Sequence, residues 1–245
     1  MHRSLRLGRC RKNLPLSDMA STTLIDDAIH DRRSWKKIGA ELDALTPDPG
    51  GAQLLMDAYR NGSCQPWMAA FLLGCVGDPI GYETALEILL SDAGSSSASY
   101  ASVAMAKMRG DAAYPDLRNV LMGDGSRKVR QGAVYGMEKL QQPQLLDDLY
   151  VAHRNQKLSR QSASWHIAYC NPSDQWLTER LTSDELDEQK LGCAVVDAMV
   201  RSNTPMDDPG YAISILVQSC LSDTELTMMA SRRKSLLEWT ELMGG

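Results

Sequence analysis

Five short stretches decide how this chain folds: AAFLLGCV (69–76), ASVAMAKM (101–108), AVYGMEKL (133–140), ASWHIAYC (163–170) and GCAVVDAM (192–199). They align without gaps at spacings of 32, 32, 30 and 29 residues. Each opens on Ala or Gly and places its first, fifth and eighth residues within about 60° of one another on a helix turning about 100° per residue, so each is one amphipathic helix with a single core stripe. Between them lie further helical patterns, such as YETALEILL (82–90) and YPDLRNVLM (114–122), each reached through a tight turn. The repeating unit is therefore an antiparallel helix pair of about 30 residues, and stacking such pairs buries a core that no pair could bury alone. The expected fold is all-α: a right-handed α-solenoid of about five repeats with capping helices at both ends. The small leading residue lets the two helices of a pair approach, where a Leu would overpack the contact by about 1–3 kcal/mol.

The stretch AAFLLGCVGDPIGYETALEILLSD (69–92) resembles the HEAT-like repeat first named in phycobilisome lyases, with its small residues, Leu-Gly, Gly-Asp-Pro turn and L-x-x-L-L-x-D helix. KVRQGAVYGM (128–137) is similar to the V-R-x-x-A start of that family's second helix. In later repeats the turn decays to Arg109-Gly110-Asp111 and then to Asn171-Pro172-Ser173-Asp174. The resemblance implies repeats over 63–203, N-terminal capping helices over 21–62 and a C-terminal capping pair over 204–245. It says little about activity, since the same architecture serves scaffolds, lyases and nucleic-acid enzymes.

The composition fits this reading. Aromatics are 6% of the 245 residues, with one Phe against 13 Met, so the core is built from Ala, Leu, Val, Ile and Met. The longest strongly apolar run, Trp67 to Val76, has ten residues, half of the roughly 20 that a membrane span needs. Six cysteines without a C-x-x-C pair, most of them in apolar runs, read as buried thiols of a reducing compartment, and the expected location is cytoplasmic. Residues 1–18 carry five cations against Asp18, which leaves the remainder at −9 of the overall −5. Residues 1–20 are expected to be a disordered basic tail or a start-site artefact. Apolar positions Ile25, Ala28, Trp35, Ile38, Leu42 and Leu45 then follow one helical pattern, and a short helix from Ala52 to Arg60 ends at Asn61-Gly62. Ser222-Asp223-Thr224-Glu225 reads as a capping box opening the last helix.

Catalytic patterns are scarce. None of the four histidines, His2, His30, His153 and His166, is followed by Glu, so the His-Glu pairs that hold iron in the HEAT-repeat deoxyhypusine hydroxylases are missing. There is no H-E-x-x-H, phosphate-binding loop or G-x-S-x-G pattern. No catalytic residue, metal ligand or cofactor is expected. His166 reads as a core or edge histidine, and Cys75, Cys170 and Cys193 as unreactive. The acidic run Asp184, Glu185, Asp187 and Glu188 reads as a solvated loop and helix start.

Two patterns point to binding. The third residue of each aligned stretch faces away from the core stripe, onto the expected concave surface, and the column reads Phe71, Val103, Tyr135, Trp165 and Ala194. Aromatics there are either exposed anchors or side-wall core between neighbouring helices, and Phe71 is expected to be covered by the N-terminal helices. Gln131 and Gln161 complete the candidate surface. The second pattern is a basic edge: Arg127, Lys128 and Arg130 in one repeat, Arg154, Lys157 and Arg160 in the next, which either docks an anion near two helix N-termini or pairs with acids of adjacent turns. The function expected is a non-catalytic scaffold or adaptor holding a protein partner. The alternatives are a phycobilin-lyase-like accessory protein, implied only by the resemblance, and a HEAT-type nucleic-acid binder, against which the −9 charge argues.

Overall fold

A computed structural model describes residues 16–203, in which every regular element is helical and no strand occurs. The first helix, α1 (Leu16–Ile29), starts inside the segment expected to be a tail, so residues 16–20 are helical; residues 1–15 of that expectation lie outside the described residues. The single helical pattern expected from Ile25 to Leu45 is two helices, α1 and α2 (Trp35–Asp43). The break is at Asp31, whose φ of 51° is left-handed, a conformation that Asp tolerates better than most side chains. The next helix, α3 (Pro49–Arg60), has Pro at its first position, and the Asp48 carboxylate accepts the Gly50 and Gly51 amides at 2.9 and 3.0 Å. It ends at Asn61-Gly62 as read from the sequence, with Gly62 at φ 78°.

The remaining helices are α4 (Pro66–Val76), α5 (Tyr82–Leu90), α6 (Ser95–Arg109), α7 (Tyr114–Met122), α8 (Arg127–Leu140), α9 (Leu145–Arg154), α10 (Arg160–Tyr169), α11 (Asp174–Leu181) and α12 (Leu186–Asn203). Serine caps open three of them: the hydroxyls of Ser126, Ser159 and Ser173 accept the amides of Val129, Ser162 and Trp176. The five aligned stretches fall in α4, α6, α8, α10 and α12. Their leading residues Ala69, Ala101, Ala133, Ala163 and Gly192 are buried, and so are Leu73, Met105, Met137, Ile167 and Val196 four positions on. Even-numbered helices pack side by side along α2, α4, α6 and α8 and again between α10 and α12, while α3 packs on α4, α5 on α6, α7 on α8, α9 on α10 and α11 on α12.

Small residues also bring neighbouring even-numbered helices together. A close approach of α6 and α8 lies at Gly132 and Gly136, which flank the leading Ala133. A Cβ on Gly136 would stand 2.5 Å from the Ser102 carbonyl oxygen, and one on Gly132 would stand 2.9 Å from the Ala98 carbonyl carbon. The Ser102 hydroxyl donates to the Gly132 carbonyl at 2.6 Å across this contact. Among the leading residues, Gly192 follows the expected pattern, lying against Arg180 and Leu181 of α11.

Tyrosine hydroxyls that the sequence did not suggest join α5 to α7, α7 to α9 and α9 to α12. Tyr82 donates to Asp116 at 2.7 Å, Tyr114 to Asp148 at 2.9 Å, and Tyr150 to Glu188 at 3.0 Å. Arg118 also binds Asp148, at 2.7 Å, and the Arg109 guanidinium stacks 3.5 Å above the Tyr82 ring. The expectation of a wholly solvated acidic run is corrected at Glu188. It is 7% exposed and also accepts Arg154 at 2.7 Å, because a buried carboxylate is retained only with charged or hydrogen-bonded partners. The expected C-terminal capping pair over 204–245, with its Ser222 capping box, lies outside the described residues.

Candidate functional site

The site follows from the size of the side chains that separate three neighbouring helices. Between α6 and α8 the facing positions carry Gly, Ala and Ser, so the backbones nearly touch. Between α8 and α10 they carry long polar groups. The Gln131 amide donates to the Ser162 hydroxyl at 2.9 Å, the Tyr135 and His166 rings meet edge to face at 5.4 Å, and His166 Nδ1 lies 2.7 Å from a Glu138 carboxylate oxygen. Larger groups at a contact set a larger interaxial distance, and α8 and α10 accordingly approach each other far less closely than α6 and α8 do.

A groove of about 610 Å³ opens over this seam, lined by Ser95, Ser96, Ser99 and Tyr100 of α6, by Arg127, Lys128, Gln131, Gly132 and Tyr135 of α8, and by Gln161, Ser162, Trp165 and His166 of α10. Six of the residues singled out in the sequence meet here: Tyr135, Trp165, Gln131, Gln161, Arg127 and Lys128. Tyr135 and Trp165 are 46% and 45% exposed, so they are not side-wall core. Phe71 and Val103 do not line the groove. Phe71 sits in an aromatic cluster with Trp35 at 4.9 Å and Tyr100 at 5.4 Å, covered from the N-terminal side, and Ala194 is buried.

The basic edge divides. Arg130 donates to the carbonyls of Lys157 and Gly125, Arg154 pairs with Glu185 and Glu188, and Lys157 pairs with Asp124. The Lys157 ammonium, hydrogen-bonded to Asp124, holds that carboxyl below its ordinary range. Arg160 opens α10 outside the groove lining. Arg127 and Lys128 are exposed and have no ion-pair partner among the described residues. The edge is thus not one continuous cationic stripe, because Arg130, Arg154 and Lys157 are engaged by neighbouring turns.

Ser99, Tyr100 and His166 were missed as groove residues, as was Glu138, which binds His166 from behind the groove. A signal existed for Ser99: it precedes its leading Ala101 by two positions, as Gln131 and Gln161 precede Ala133 and Ala163, so one register position recurs in all three helices. His166 is buried to 9% exposure as an edge histidine, yet it also forms part of the groove wall.

The thiols are electrically quiet. Burial pushes Cys64 up to about 11 and Cys170 up to about 11, and burial together with nearby Asp43 pushes Cys75 up to about 12, so little thiolate exists near neutral pH. Among the described residues no cluster of His, Cys, Asp and Glu is placed to hold a metal ion, and no helix is long and apolar enough to cross a membrane. Among the described residues the groove presents aromatic faces, amides, hydroxyls and two cations without an ion-pair partner, and no carboxylate lines it. Comparison of the chain with protein-family models, with curated proteins and with solved structures returned no match.

Proposed function

We propose that this chain is a HEAT-like, right-handed α-solenoid acting as a non-catalytic scaffold or adaptor that holds a segment of a partner protein on its concave face. The observation that carries the reading is the pair Tyr135 and Trp165, at the same register in neighbouring repeats, each nearly half exposed and both lining one groove. Large rigid aromatics lose little conformational entropy on binding and dominate interface energetics. Gln131 and Gln161 add amide groups at equivalent positions beside them. Nucleic acid is the weaker alternative, since Arg130, Arg154 and Lys157 are engaged within the chain and phosphate neutralisation dominates such affinity. The cysteines among the described residues form no disulfide, and Cys64, Cys75 and Cys193 are buried, which suits a reducing, cytoplasmic setting.

The test is the double variant Tyr135→Ala/Trp165→Ala. Affinity capture followed by mass spectrometry will recover proteins retained by the wild type and lost by the variant, while chemical denaturation shows the two to be about equally stable. Identical capture profiles for the two proteins overturn the reading.

A further inference from the structure

We infer that the groove takes a short acidic peptide segment, its carboxylates at Arg127 and Lys128 and an apolar side chain against Tyr135 and Trp165. This rests on the interaction-module reading above and adds to it the charge, length and spacing of what is bound.

The charge comes from what the groove lacks as much as from what it holds. Arg127 and Lys128 line it, exposed and without an ion-pair partner among the described residues, whereas Arg130, Arg154 and Lys157 beside them are already engaged. No carboxylate lines the groove with them, and Glu138 behind it is bound to His166. Two uncompensated cations beside an aromatic floor favour a partner with opposite charge at that end and apolar surface at the other.

The length comes from the helix. Arg127 and Tyr135 are eight residues apart on α8, which is about 12 Å at a rise of about 1.5 Å per residue. An extended peptide advances about 3.3 Å per residue, so the acidic and apolar side chains of the ligand stand three to four residues apart. The backbone between them passes two amides. Gln131 donates through its nitrogen to Ser162, which leaves its oxygen to accept a peptide N–H, and Gln161 has no side-chain partner among the described residues.

The short charge run comes from the rest of the molecule. A chain of net charge −5 repels an extended polyanion. The two groove cations without an ion-pair partner among the described residues also fall far short of the roughly 6–10 phosphate contacts of a dedicated nucleic-acid binder.

The experiment is selection of a random twelve-residue peptide display library on the full chain, followed by fluorescence anisotropy with the best synthetic peptides. Enriched sequences will carry Asp or Glu three to four residues from an aromatic or aliphatic residue. Arg127→Ala/Lys128→Ala will weaken the best peptide by about tenfold, as expected for two exposed charge contacts. Lys139→Ala, which removes one exposed cation at the far end of the same helix, will leave it within about twofold. Enrichment of neutral or basic peptides whose binding still requires Tyr135 and Trp165 overturns the acidic ligand but leaves the interaction module standing. Absence of enrichment over the Tyr135→Ala/Trp165→Ala variant overturns both. Binding of a twenty-residue thymidine oligonucleotide as tightly as the best peptide overturns the choice of a peptide.

Discussion

At Trp165 and Tyr135 a large ring is exposed where the repeat pattern alone allowed either anchor or core. Replacing either with Ala is expected to cost under about 1 kcal/mol in urea denaturation, against the 3–5 kcal/mol typical of a packed aromatic. Tyr114 gives the opposite expectation. Its hydroxyl donates to buried Asp148, so Tyr114→Phe will cost about 1–2 kcal/mol, while Tyr169→Phe, at 63% exposure, will cost nothing measurable in the same assay. Cys64, Cys75 and Cys170, with pKa values raised by burial, will resist iodoacetamide at pH 8 in the folded chain and react once it is unfolded, as intact-mass spectrometry will read. The shared position of the two rings was legible because register repeats along a helix, whereas their exposure was not. Tyr114 and Asp148 were not, since they sit 34 residues apart on separate helices and no local period links a phenol to a distant carboxylate.

Helices α6 and α8 meet through Gly132 and Gly136, and this contact makes an element-scale prediction. Gly136→Ala gains about 1 kcal/mol of helix propensity but drives a methyl into the Ser102 carbonyl, and overpacking of about 1–3 kcal/mol will make the net effect destabilising. Gly132→Ala will behave likewise, and thermal melts of both variants will fall below the wild type. The helices at 82–90 and 114–122 match the apolar patterns read there residue for residue. The break between α1 and α2 did not show, because Ile25, Ala28, Trp35 and Ile38 keep helical phase across it, and only the left-handed Asp31 backbone interrupts the run. The contact at Gly132 and Gly136 was not legible, since sequence fixes which side chains are small and not which neighbour they approach.

For the whole molecule, buried phenols and thiols set an alkaline limit. Burial raises Tyr82 and Tyr114, with further upward pressure from Asp116 and Asp148, and it raises the three cysteines as well. In the unfolded chain these groups ionise at about 8.5–10, whereas in the folded chain they stay protonated to higher pH. The folded state then binds more protons than the unfolded one, so stability is intact below about pH 8.5 and declines as pH rises beyond it. Urea midpoints at pH 7.5 and 10.5 will show this directly, with the lower midpoint at the higher pH. The seam between α8 and α10 has a mechanical consequence of its own. A row of helices locked backbone to backbone at one junction, and bridged at the next by amide, imidazole and carboxylate groups that can exchange partners with water, is a spring of unequal stiffness. Tension along the row extends the soft junction first.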